Sequence, residues 1–266
     1  MSKDESGINE QIQRAGFPYP DSVIHTFVGG SASHGAKVSK TDDLDLYGVF
    51  IEPPEESLGV TRYEHFVWST AGNERRNGPD DVDLCLYSLR KWATLAAKGN
   101  PTALHFLFTG HSFSSESKHG KAWQAVLQSK ELFVSRQAAA AFQGFANDQL
   151  ARLVGSKGAG QHGQRPEYIG KFGYDTKAAM HVIRLLNEGI EFIKSGTITL
   201  PRPERDLLIS IRTGEFGSLE KVTNLANRLF ADLDAARESS AFPEKVDAKA
   251  INKLVANIYL DFYVAV

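Results

Sequence analysis

One cysteine, Cys85, stands among the 266 residues. A disulfide within the chain and a zinc cage of several thiolates are therefore both excluded, which suits a reducing compartment. Cys85 itself is expected to be a buried thiol on a strand. Long hydrophobic runs are missing as well. No uninterrupted apolar segment approaches the ~20 residues that a membrane helix requires, and the opening MSKDESGINEQIQRAG is polar, unlike an export signal. The expectation is a cytoplasmic protein. An excess of one charge is also lacking: 30 Lys and Arg face 32 Asp and Glu, for a formal net charge of -2. Nothing global draws the chain to nucleic acid or membrane, so any anion must be held by a local cluster. No internal repeat and no low-complexity tract is present.

With 42% hydrophobic and 23% charged residues, the composition is that of an ordinary globular protein of one or two domains. Its texture changes near residue 88. Before that point VIHTFVG (23 to 29), LDLYGVFI (44 to 51), HFVWST (65 to 70) and DVDLCLYS (81 to 88) read as strands between turn-rich pieces. Beyond it helical spacing takes over. Ser88 is a candidate N-cap for LRKWATLAAKG, and Pro101 suits the first turn of PTALHFLFTG. Phe142, Phe145, Ala146, Leu150 and Leu153 recur at helical steps, as do Ala178, Val182, Leu185, Leu186 and Ile190. Two further helices are expected around 218 to 231 and 246 to 262, and the glycine-rich stretch 155 to 173 is expected to be a loop. The fold class that follows is α+β, an N-terminal mixed β-sheet with flanking helices and then a helical region.

The chemistry concentrates in GGSASHGAKVSKTDDLDLYGVF, residues 29 to 50. Two residues apart on a strand, Asp43 and Asp45 project from one face while Leu44 and Leu46 face the core. Paired carboxylates of this kind bind hard divalent cations, and Mg²⁺ (or Mn²⁺) is the natural guest when phosphates complete its shell. The turn before them, VGGSASHG, would let the Gly29 and Gly30 amides and the Ser31 hydroxyl hold phosphate oxygens. No Gly-Lys-Ser/Thr follows its glycines and its spacing is not G-x-G-x-x-G, so it is neither a Walker loop nor a dinucleotide fingerprint.

An apolar strand, Gly30-Ser31, a dozen residues and then Asp43-x-Asp45 between apolar positions together resemble the signature of the DNA polymerase beta-like nucleotidyltransferases. The similarity extends to bacterial and phage predicted members through GNPTALHFLF and YDTKAAMHVIRLLNEG, roughly over residues 22 to 215. It implies a nucleotidyltransferase catalytic core over residues 1–110 and a helical region over 111–266 covering the cleft. A third carboxylate on a later strand is also implied, for which Asp83 is the candidate and Asp81 the rival. Such an enzyme would move a nucleoside monophosphate from an NTP to an acceptor hydroxyl and release pyrophosphate, with Asp43, Asp45 and Asp83 holding two metal ions. The acceptor stays open among RNA, a small molecule and a protein. His34 stands where the family more often carries an aromatic or arginine.

Periodicity adds a further element. Tyr174, Lys177, His181, Arg184 and Glu188 form a polar stripe at steps of three and four on one helix. Lys177, His181 and Arg184 could neutralise a triphosphate or a polynucleotide backbone from it, or the stripe could be an exposed face with ordinary ion pairs. His25 and His105 lie in apolar contexts and read as core histidines, and Arg212 with Glu215 reads as a helix end, with contact to the site as the lesser alternative. An inactive nucleotide- or nucleic-acid-binding module on the same fold remains the alternative to an enzyme.

Overall fold

The four β-rich runs assemble into one mixed sheet in a computed structural model that describes residues 3–38, 43–72, 75, 77–110, 112–155 and 165–264. Helix α1 (Lys3–Arg14) leads into β1 (Val23–Val28), and the short α2 (Gly30–Ser33) follows at once. Next come β2 (Leu44–Phe50), α3 (Pro54–Leu58), β3 (His65–Ser69) and β4 (Val82–Ser88). The spatial order is β1-β2-β4-β3, with β2 and β4 parallel and both outer pairs antiparallel. β4 alternates buried and half-buried residues along its whole length, so its two faces meet different surroundings. Leu46, Val82, Leu84 and Leu86 pack under α1 against Ile8, Ile12 and Phe17.

The other face meets the helices. Ser88 caps α4 (Leu89–Ala97) by accepting from the Lys91 amide at 3.2 Å, and Asn100 caps α5 (Pro101–His105) with Pro101 in its first turn. The chain then builds α6 (Lys118–Gln128), α7 (Gln137–Leu153), α8 (Pro166–Phe172), α9 (Thr176–Ser195), α10 (Arg205–Arg212), α11 (Leu219–Ser239) and α12 (Ala248–Val264). Helix α9 is central and packs against α7, α10 and α11. Its apolar stripe is buried at Ala178, Val182, Leu185 and Leu186, as the spacing predicts. One continuous core joins Ile24, Phe27, Val49 and Ile51 of the sheet to these helices around Trp92 and Trp123. The Trp92 indole satisfies its N–H on the Ala103 carbonyl at 2.9 Å, which lets so large a ring be fully enclosed. Glu52 pins the last helix: its buried carboxylate meets Arg90 at 3.0 Å and accepts from the Tyr259 hydroxyl.

Three expectations change. Phe145 is 42% exposed although its α7 neighbours Phe142 and Ala146 are buried, because α9 and α11 cover only part of that helix. The stretch expected as a loop contains α8 from Pro166, while 156–164 lie outside the described residues. Cys85 is on a strand but only half-buried, bonded to His65 Nε2 at 3.2 Å, and burial pushes its thiol up to about 11. Among the described residues no helix is long and apolar enough to cross a membrane.

Candidate active site

Parallel pairing of β2 with β4 sets Asp45 directly opposite Asp83, and Asp43 enters just before β2. The three carboxylates each offer an oxygen within 4.8 Å of the others. All three are half-buried. Asp83 Oδ1 is enclosed and accepts no hydrogen bond, whereas its Oδ2 accepts from Asn77 Nδ2 at 2.5 Å. The same Asn77 nitrogen reaches Asp43 Oδ2 at 3.0 Å. An amide bridging two carboxylates, beside an unsatisfied buried oxygen, marks a place where a cation's charge is called for. The oxygen-only donor set fits Mg²⁺ or Mn²⁺.

Asp81 is held elsewhere. Its carboxylate accepts from Thr70 Oγ1 at 2.8 Å, the Gly78 amide at 2.7 Å and Arg75 at 2.5 and 2.7 Å. The Arg75 hydrogen bonds, ahead of those from Gly78 and Thr70, keep it well below the usual carboxylate range. It therefore ties Thr70, Arg75 and Gly78 together beside Asn77 and does not join the carboxylate cluster. The glycine- and proline-rich sequence around Asn77 and Gly78 signals a turn, but nothing in it signals that Asn77 would bridge two carboxylates.

The glycine turn is shaped by what lies against it. Gly30 has φ +58°, and a Cβ there would come 1.8 Å from Asp45 Oδ2. Only glycine permits that approach. A Cβ on Gly29 would strike the Tyr47 ring at 2.4 Å. One expectation fails at this point: the Gly29 amide donates to the Asp45 carbonyl at 2.8 Å, extending the β1-β2 pairing, and is spent there. Ser31 and the first turn of α2 remain facing a cavity of about 250 Å³.

That cavity lies between the carboxylates and α9. Asp43 and Asp45 form one wall, Lys177, His181 and Arg184 another, and Arg212 closes it from the end of α10. Arg212 both ends α10 and lines the cavity, the latter being the lesser of the two roles its sequence context offers. Tyr174, the first member of the stripe, instead donates its hydroxyl to the Gly217 carbonyl at 2.9 Å. Glu188, the last member, is fully buried. Arg184 Nη1 meets both its oxygens, at 2.9 and 3.1 Å, and His105 Nε2 lies 3.1 Å from Oε2. Arg184 Nη1 also donates to His34 Nε2 at 3.0 Å, and His34 Nδ1 lies 3.3 Å from Glu188 Oε1. His34, His105 and Glu188 are close enough to ligate a metal, but the guanidinium already supplies the cation. Burial alone would push the Glu188 carboxyl up, yet Arg184, His105 and His34 hold it well below its usual range. His105 is thus a satisfied core histidine as expected, and so is His25, bonded to Thr109 at 3.0 Å and Ser112 at 2.9 Å.

Burial, reinforced by Arg184, holds both His34 and His181 well below their ordinary value of 6.5. His181 therefore lines the cavity as a neutral ring and not as the cation its place in the stripe suggested. Folded-state values below the unfolded ones mean that the unfolded chain takes up protons first on acidification. Their stabilising contribution is intact above about pH 6.5 and is lost as the pH falls below it, by up to ~1.4 kcal/mol per pH unit for each group. Denaturant melts at pH 7.5 and 5.5 should show the loss, and His181→Gln should reduce the slope. A flat profile would mean that these rings take up protons as readily in the fold as in the unfolded chain.

Residues 5–257 match the RNA repair pathway DNA polymerase beta family. Over 130 residues the chain is 27% identical to the uncharacterized 38.9 kDa protein in the nrdC-mobD intergenic region of Enterobacteria phage T4, covering 49% of this chain and 38% of that protein. It thus spans well under half the length of that relative. A nucleotidyltransferase-like protein from Exiguobacterium sibiricum is 14% identical, with 88% of this chain and 74% of that one covered, at a TM-score of 0.30. At that score it says nothing about this chain's chemistry.

Proposed function

The chain belongs to the RNA repair pathway DNA polymerase beta family, and from that premise we propose that it transfers a nucleoside monophosphate from an NTP to a hydroxyl at an RNA end. The acceptor oxygen forms a bond to the α-phosphorus, the bond to the β-phosphate bridge breaks, and pyrophosphate leaves. The observation that carries this reading is the junction of three convergent carboxylates with a cavity walled by cations. Such chemistry asks a protein for position and charge more than for covalent groups.

Asp43, Asp45 and Asp83 would hold Mg²⁺, which supplies charge neutralisation on the phosphates and lowers the pKa of the attacking hydroxyl. Asp45, locked between Gly30 and the Asp83 pairing, presents its carboxylate in one orientation. Ser31 and the first turn of α2 contact the outer phosphates, and Lys177 and Arg212 neutralise them from the opposite wall. Arg184 contributes charge while fastened to Glu188. The division into a catalytic core over 1–110 and a covering helical region over 111–266 belongs to the same proposal.

The test is incubation with Mg²⁺, each NTP in turn and a single-stranded RNA, reading pyrophosphate and lengthened RNA. Product with RNA supports the reading, and none with any NTP returns the chain to a binding module. Within this assay Lys177→Ala should weaken NTP binding by ~1.5–3 kcal/mol, as loss of a charge-assisted contact does. Lys194→Ala, at the exposed end of the same helix, should change it little. Equal affinities would remove α9 from the phosphate site.

A further inference from the structure

A second cavity, of about 360 Å³, adjoins the same cluster and is lined by Asp45 and Asp83. It shares Asp45, Tyr47 and Thr102 with the first, so the two are continuous at the metal-binding residues. Their chemistry differs. The first is walled by Lys177, Arg184 and Arg212, whereas the second has no Lys or Arg among the described residues that line it.

The floor follows from strand register. Asp45, Asp83 and Ser69 form one cross-strand row, and Tyr47, Cys85 and Val67 form the next. Beyond them the His65 ring stacks on Tyr87, with centroids 4.7 Å apart and planes within 2°. Helices cover this sheet face over β1 and β2, where Val49 is fully buried. Over β3 the face is open, and Val67 is 63% exposed. An apolar and aromatic surface is therefore left uncovered one strand row from a carboxylate oxygen that lacks a partner. Flat sheet faces with aromatic rings are the surfaces on which single-stranded nucleobases stack, because every base has a π-face. The volume is also within the about 300–1,000 Å³ typical of small-ligand pockets.

We propose that the β3-β4 face formed by Val67, Cys85 and Tyr87 is the acceptor subsite, holding the terminal nucleoside of a single-stranded RNA with its base on this floor and its hydroxyl toward Asp83. The proposal rests on the nucleotidyl-transfer reading for the role of Asp83, and it adds where the acceptor lies and what it is recognised by. Recognition is by stacking and apolar contact, so it tolerates different terminal bases. The triphosphate and the acceptor occupy adjoining cavities and do not compete.

Val67→Asp tests it, since an exposed edge-strand side chain can be exchanged without disturbing the core, and Leu58→Asp, 83% exposed on α3 and outside both cavities, is the control. The readout is anisotropy of a labelled single-stranded RNA ending in a 3′-deoxynucleotide, which reports binding without turnover. Loss of a stacked base should weaken RNA binding about tenfold in Val67→Asp and leave Leu58→Asp near wild type. Affinity for the Mg²⁺ complex of a nonhydrolysable NTP should be unchanged in both. An RNA with a terminal 4-thiouridine should crosslink, on irradiation, to peptides containing residues 65–69 or 83–87. Wild-type RNA affinity in Val67→Asp, or a crosslink elsewhere, overturns the subsite. Unchanged RNA binding together with lost transfer to a protein hydroxyl would overturn it in favour of a protein acceptor. RNA binding that depends on Val67, with no pyrophosphate from any NTP, would leave the subsite standing and end the transfer reading.

Discussion

Asp45→Asn is expected to lose nucleotidyl transfer by on the order of a thousandfold or more, the scale at which removing a centrally placed charge-stabilising group acts. The fold should survive. Asparagine has nearly the volume of aspartate, and the glycine turn that packs against Asp45 Oδ2 was shaped by contact, not charge. Three carboxylates with oxygens within 4.8 Å of one another repel in the absence of a cation. At an effective dielectric of ~20, two charges about 4 Å apart oppose each other by roughly 4 kcal/mol, an upper figure for groups still open to solvent. The variant should therefore melt at or slightly above the wild-type temperature without added metal, and gain less than wild type when Mg²⁺ is titrated in. Asp43→Asn should behave likewise. Ca²⁺, larger and more loosely coordinated, should permit nucleotide binding but support poor transfer. Near wild-type transfer by Asp45→Asn, or full activity in a chelator, would sink the metal assignment.

How much of this was legible in the sequence depends on whether the interaction was local. Strand and helix positions were, because alternation and 3.6-residue spacing are local properties: β1, β2, β3 and β4 fall within a residue or two of their expected limits. The Asp43-x-Asp45 pair was legible for the same reason. The choice between Asp81 and Asp83 was not, since both have the same parity on a strand. What separates them is where β4 begins and a turn in which Arg75 and Thr70 claim Asp81. Asn77 carried no periodic signal at all. Gly29 was assigned to phosphate because glycine-rich turns usually approach a ligand, but here the close neighbour is the Tyr47 ring. The stripe on α9 was visible as spacing, yet its members divide three ways, into a cavity wall, a hydroxyl anchored on Gly217 and a buried carboxylate. Spacing places residues on one face and leaves open what that face meets.

Glu188→Ala carries the largest expected effect on stability. Glu188 is fully buried and Arg184 nearly so, at 0% and 12% side-chain exposure, so solvent screening gives little relief. Truncation leaves a guanidinium without its carboxylate and takes the acceptor from His105. Removing one partner of such a buried pair costs ~3–5 kcal/mol. Urea melts should show it as a lower midpoint at unchanged slope. The consequence reaches the site, because Arg184 on α9, held in place by Glu188, donates directly to His34, which follows α2, across 150 residues of sequence. With Arg184 no longer fastened, α2 and the cavity wall lose their fixed spacing, and NTP affinity should fall even at temperatures where the variant is folded. Glu188→Gln, which keeps the volume and one acceptor, should be less destabilised than alanine but still well below wild type. Replacing Arg184 and Glu188 together by leucine should cost less than the sum of the two single losses, since no charge is then left unpaired. An alanine variant within about 1 kcal/mol of wild type would mean that the cluster behaves as a solvated ion pair, and the link between α9 and the glycine-serine turn would have to be carried by apolar packing alone.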